Sequence, residues 1–194
     1  MSRYHAAAVL LLSFATPSAG QSLGIFADTL GTNCSLQAPF PGGAVICHVV
    51  AKIDGVEFPI SAAVFRIVDM PPGWIVSVMP GARTSAIGDV LGDGVHVVFN
   101  GCVRPVSPLV LLTLILTPTS LVTNSSVHVS HHLTSPIVCS PEAACSAACA
   151  RFCGCGGFGG PCYCAETTAL VINGPPCTTQ ISQGTWSILK RTFR

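Results

Sequence analysis

Val45-Ile46-Cys47-His48-Val49-Val50-Ala51-Lys52-Ile53 alternates an apolar series, Val45, Cys47, Val49, Ala51 and Ile53, with a partly polar one, Ile46, His48, Val50 and Lys52. Successive side chains of an extended chain point to opposite faces, so this stretch reads as a strand with one face in a core and the other nearer solvent. The same reading extends outward in both directions. Ala63, Phe65 and Ile67 are expected to face the core, with Val64, Arg66 and Val68 outward. Leu23 to Ala27, Trp74 to Val78, Val95 to Phe99, Val110 to Thr117, Ser126 to Leu133 and Thr168 to Ile172 supply further short runs, separated by Gly, Pro, Asn and Asp. A set of about eight strands, with proline joints at Pro105, Pro108 and Pro118, predicts an all-β fold, an antiparallel two-sheet sandwich of immunoglobulin-like type.

The chain opens on Ser2-Arg3-Tyr4-His5, runs through an apolar stretch from Ala6 to Ala15 and breaks at Thr16-Pro17-Ser18-Ala19-Gly20-Gln21. A basic start, a short apolar run and small residues before Gln21 form the three-part pattern of a signal peptide over 1–20. The run is well short of the roughly 20 residues that cross a bilayer. After cleavage, eight Lys and Arg face eight Asp and Glu, because Arg3 departs from the nine basic residues of the whole chain. A net charge of zero argues against nucleic acid, which demands a basic stripe. Leu109 to Leu116, interrupted by Thr113 and flanked by prolines, is a buried strand by length, so no membrane span is expected in the mature chain.

All eleven cysteines lie beyond the signal: Cys34, Cys47, Cys102, Cys139, Cys145, Cys149, Cys153, Cys155, Cys162, Cys164 and Cys177. Export makes each a disulfide candidate. Cys34 and Cys47 are expected to cross-link the start of the sandwich, with Cys102 reaching Cys139 or Cys177. Because eleven is odd, one thiol stays free or bridges to another chain. Seven cysteines crowd between Cys139 and Cys164 among glycines, with too few large apolar residues for a core. The organisation expected is therefore a sandwich over 21–138, an irregular disulfide-rich insertion over 139–166, a final strand over 167–183 and a short helix over 184–194. Thr185 would cap that helix, and Lys190, Arg191 and Arg194 suit its C-terminus. Thiolate clustering at Cys153-Gly154-Cys155 and Cys162-Tyr163-Cys164 offers a metal-binding alternative, although zinc modules space their ligand pairs by two to four residues.

Candidate chemistry is sparse. Asp89, Asp93 and Gly94 take the first, fifth and sixth places of a calcium loop, but Leu91 and Asn100 stand where oxygen ligands belong, so a turn on Asp93-Gly94 between strands is favoured. His128, His131 and His132 form a histidine cluster. On one strand His128 and His132 would share a face about 13 Å apart, with His131 opposite, which no single metal spans. A partner strand bringing in His96 or His48 is the exception. No nucleophile elbow, zinc-protease helix or phosphate loop is present, and no catalytic, metal or cofactor residue is assigned. Asn33-Cys34-Ser35 and Asn124-Ser125-Ser126 have the form of glycan acceptors.

Gly24-Ile25-Phe26-Ala27-Asp28, Asn33-Cys34-Ser35-Leu36, Ala169-Leu170-Val171-Ile172-Asn173-Gly174 with Cys177, and Gly184-Thr185-Trp186-Ser187-Ile188-Leu189-Lys190 together resemble a group of uncharacterised secreted bacterial proteins that end in a short Thr-Trp-containing helix. More remotely, Val95 to Val129 resembles the sandwich of cohesin-type and carbohydrate-binding modules. A rigid sandwich with variable loops and no catalytic motif leads instead to the expectation of a secreted or cell-surface, non-enzymatic module that binds an extracellular glycan or protein or builds a surface layer. An unrecognised hydrolase using His128 or His132 is the enzymatic alternative.

Overall fold

The computed structural model describes residues 21–53, 59–103, 108–133, 151–154 and 162–177. Thirteen strands run through them: β1 Gln21–Phe26, β2 Ser35–Leu36, β3 Val45–Ile53, β4 Ile60–Val68, β5 Ile75–Pro80, β6 Thr84–Asp89, β7 Gly94–Val103, β8 Leu109–Thr117, β9 Ser125–Ser130, β10 Arg151–Gly154, β11 Cys162–Cys164, β12 Glu166–Thr168 and β13 Leu170–Ile172. There is no helix among the described residues, and so none long and apolar enough to cross a membrane.

Two sheets stack face to face. The first has the order β12-β1-β3-β8-β5. The second runs β11-β10-β4-β9-β13-β2, with β7 and then β6 laid along the other side of β4. Long β4 is shared: Arg151 to Gly154 of β10 pair with its first half, and β9 pairs Arg66 with Ser130 and Val68 with His128 on its last turn of pleat. The sandwich expectation holds, with one change of detail. The sheets are mixed, because β12 lies parallel to β1 and β13 lies parallel to β2.

The core follows the alternation. In β3 Cys47, Val49, Ala51 and Ile53 are buried, and in β4 Ala63, Phe65 and Ile67 are, all joining Leu111, Leu112, Leu114 and Leu116 of β8 in one cluster. Burial of this kind contributes about 25 cal/mol per Å² of apolar surface, enough to make these inward positions the main support of the fold. Two outward positions break the pattern. Val64 is buried as well, and Val50 enters a second, smaller cluster with Phe26 and Cys34, covered by Val110 and Cys177.

Several sequence expectations change. The run over Thr168 to Ile172 is two strands, β12 and β13, in different sheets. The Cys/Gly-rich insertion is not wholly irregular, since β10 and β11 extend the second sheet from it, and Cys153 stands opposite Cys162 in their register. β6, which is not among the strands read from the sequence, pairs with β7 along its whole length, from Thr84 opposite Phe99 to Asp89 opposite Gly94. The turn therefore occupies 90–93, and Gly94 opens β7 rather than sitting in the turn. The signal sequence expected at 1–20 and the helix expected at 184–194 lie outside the described residues.

Candidate functional site

The disulfide framework differs from expectation. Cys34 is bonded to Cys177, with Cα atoms 5.7 Å apart across a separation of 143 residues, and not to Cys47. Cys47 is a buried free thiol on the core face of β3, and burial pushes its pKa up to about 12. Among the described residues Cys47 is thus a thiol enclosed by the core, out of reach of another chain. Cys102 is disulfide-bonded too. The pairing with Cys177 is set by backbone bonds around it, as Val171 N–H donates to Cys34 O at 2.8 Å and Asn173 N–H to Leu36 O at 2.9 Å.

That bridge covers one half of the first sheet's outer face. The loop leading to it, 27–33, is closed by Ala27 N–H donating to Asn33 O at 2.7 Å. Asp28 gathers the loop: its carboxylate accepts from Thr32 N–H at 2.9 Å, Thr32 Oγ1 at 2.8 Å and Asn33 N–H at 2.6 Å. Burial pulls the Asp28 pKa upward, but the hydrogen bonds from Thr32, Asn33 and Leu30 outweigh it and hold the carboxyl below 3.8. Beneath the loop, Lys52 Nζ lies 5.3 Å from the centre of the Phe26 ring.

The other half of the same face is open. Register sets Ile46 beside Ile115 and Ile115 beside Ser77, Thr113 beside Met79, and Thr117 beside Ile75. Ile46 on β3 is 52% exposed, and Ile75 and Met79 on β5 are 59% and 50% exposed, with β8 between the two strands. β5 is also the end strand of its sheet, and Ile75-Val76-Ser77-Val78-Met79-Pro80 carries no charge. Sheet edges normally carry charges or bulges that block pairing, and here only Pro80 and the strand's shortness do so. The sequence reading placed Ile46 on the solvent face but missed Ile75 and Met79. Their signal was an uncharged strand that ends on Pro80-Gly81.

Between β5 and the β6–β7 turn lies a cleft of about 420 Å³, walled by Val76, Val78, Ala86, Val90 and Val95, with Asp89 at its rim. Asp89 Oδ1 accepts Leu91 N–H at 3.0 Å, so the carboxylate organises its own turn. The calcium-loop reading gains nothing from this, and no group of three or more metal-binding side chains occurs among the described residues.

The histidines rearrange. β9 ends at Ser130, so His131 and His132 leave the strand, and His132 crosses to the second sheet's outer face. There its ring centre lies 4.8 Å from that of His96 on β7, with the planes at 73°. Leu133 N–H donates to Asp93 O at 2.8 Å and holds the segment in place. A Cβ on Gly94 would stand 2.5 Å from His132 Cδ2, so that glycine makes the approach possible. Burial lowers the His96 pKa, and the neighbouring His132 charge lowers it further. His131 Nδ1 is 3.4 Å from Ser130 Oγ, and His48 Nδ1 is 3.1 Å from Thr113 Oγ1, well apart from the pair in the fold.

No protein-family model matches the chain, and no curated protein matches it. Among solved structures it is similar to the seventh ScaB type I cohesin from Pseudobacteroides cellulosolvens, at a TM-score of 0.51 and 13% identity, over 82% of this chain and 94% of that one. A non-cellulosomal cohesin from the hyperthermophilic archaeon Archaeoglobus fulgidus matches at 0.45 and 12% identity, over 87% and 98%. At such identities the likeness is one of shape, and the shape is the cohesin-type β-sandwich.

Proposed function

We propose that this chain is an exported, non-enzymatic recognition module that holds an extracellular protein on the outer face and free edge of its first sheet. Residues 1–20 act as the signal, and the oxidising destination keeps Cys34 and Cys177 bonded. The observation that carries the reading is the uncharged edge strand β5 with Ile46, Ile75 and Met79 exposed around it. Contiguous exposed aliphatic surface on a rigid sheet fits a protein partner, which can add a strand to the edge while its side chains fill the face. Sugars stack on exposed aromatic rings instead. Of the aromatic side chains whose exposure is described, Phe40 alone is open, at 44%, while Phe26, Phe65, Trp74 and Phe99 are buried. A protein ligand is therefore favoured over a glycan.

The test compares the secreted protein with an Ile75→Asp, Met79→Asp double variant against surface proteins of the exporting cell and against a glycan array. The reading expects a protein retained by the first and lost by the second, with hydrogen-exchange protection confined to β3, β8 and β5. Equal retention by both proteins, or array binding that the double variant leaves intact, would overturn it.

A further inference from the structure

The geometry points to a second binding site, independent of the partner surface on the first sheet. His96 and His132 form a two-imidazole site for a borderline divalent cation, Zn²⁺, Ni²⁺ or Cu²⁺, on the outer face of the second sheet.

Distance comes first. With metal–nitrogen bonds of about 2.0–2.1 Å, an imidazole centre stands roughly 3.2 Å from the ion it binds, so two rings on one ion have centres about 4.5 Å apart at a right angle and about 5.2 Å apart at a tetrahedral angle. The observed 4.8 Å falls inside that interval, with the planes turned 73° from each other. The pair is also built by the backbone rather than left to two free rotamers. His96 sits inside β7, in register with Val64 on one side and Ile87 on the other. His132 is carried to it by the 2.8 Å bond from Leu133 N–H to Asp93 O, over a glycine whose side chain would collide with its ring. Preorganised ligands lose little freedom when an ion arrives, which is the main cost of assembling a site from separate segments.

Ligand chemistry fixes the class of ion. Neutral imidazole suits zinc, copper and nickel, whereas calcium and magnesium need oxygen donors. Among the described residues no third metal-binding side chain joins the pair, and the Asp89 carboxylate is turned onto the Leu91 N–H. Two protein ligands leave the remaining positions of the ion open to water or to a donor from another molecule.

The experiment uses the full secreted chain with its bridges formed, stripped by chelation and titrated with Zn²⁺ alone, while the imidazole ¹⁵N signals and the heat are followed. One equivalent of Zn²⁺ should move the His96 and His132 signals together. His96→Ala and His132→Ala should each weaken binding by about tenfold or more, and His128→Ala should leave it unchanged. Gly94→Ala, which retains both ligands but displaces the His132 ring, should weaken it too, with melting curves confirming that each variant folds. Zinc that saturates without moving either ring signal, or that binds both alanine variants as tightly as the parent, would overturn the assignment. The ring signals need no variant, so the answer does not depend on any substitution folding.

Discussion

The two halves of the first sheet's outer face begin with the same kind of surface and end differently. Over β1 and β3, Phe26 and Val50 lie outside the sandwich core yet are buried, because the loop gathered by Asp28 and the Cys34–Cys177 bridge close over them. Over the start of β3 and across β8 to β5, Ile46, Ile75 and Met79 have no such cover among the described residues and remain half exposed or more. A chain that seals one apolar half with a disulfide while leaving its neighbour bare separates surface used for stability from surface available to a partner. Exposed aliphatic residues are ordinary when scattered singly, but three of them beside an uncharged sheet edge are not.

The comparison can be broken most severely at the bridge. Cys34→Ser should cost about 2–5 kcal/mol by denaturant titration, toward the upper end because the bond closes a loop of 143 residues, and should uncover Phe26 and Val50. A dye that reports apolar surface should then bind both halves of the face instead of one. Asp28→Ala should cost about 1 kcal/mol, as the loop loses three hydrogen bonds that are largely replaced by water. The same carboxyl predicts a pH effect. Its folded pKa is depressed, so its contribution is present above the unfolded value of about 3.9 and is lost as pH falls through the folded one. The parent should lose stability below about pH 4 more steeply than Asp28→Ala does.

On the open half, Ile75→Asp with Met79→Asp should shift stability by no more than about 0.5 kcal/mol each, as is usual for exposed sites, while abolishing partner capture. A large loss of stability there would mean that the face is already covered within the chain. The imidazole pair gives a smaller signal. The His96 pKa is depressed, so its contribution is present above about 6.5 and declines as pH falls, and His96→Gln should flatten the stability profile between about pH 7 and 5.

Much of this frame was legible in the sequence, and what was missed shares a cause. β3, β4 and β8 declare themselves by alternation or by a continuous apolar run, because their partners demand it on at least one face. Thr84-Ser85-Ala86-Ile87-Gly88-Asp89 carries no such signal. It is a strand only because β7 supplies its hydrogen bonds. Ser35–Leu36 is too short to show a period at all. The site residues depend still more on distant contacts. Nothing local links Cys34 to Cys177, and the strand geometry read for His128 and His132 says nothing about His96. Only the end of β9 at Ser130 and the space over Gly94 bring His132 to it. The face formed by Ile46, Ile75 and Met79 likewise exists only once β8 lies between β3 and β5.

Cys47 supplies the internal control for the sulfur framework. Its thiol pKa is raised, so the stability it contributes is complete below about 9 and is lost as pH climbs toward about 12. The most direct measurement is peptide mapping of the secreted, unreduced protein after thiol labelling, once under native conditions and once in denaturant. The account predicts a cross-linked pair carrying Cys34 and Cys177, and label on Cys47 only when the protein is unfolded. A peptide joining Cys34 to Cys47, or Cys34 and Cys177 both labelled in the native protein, would contradict it.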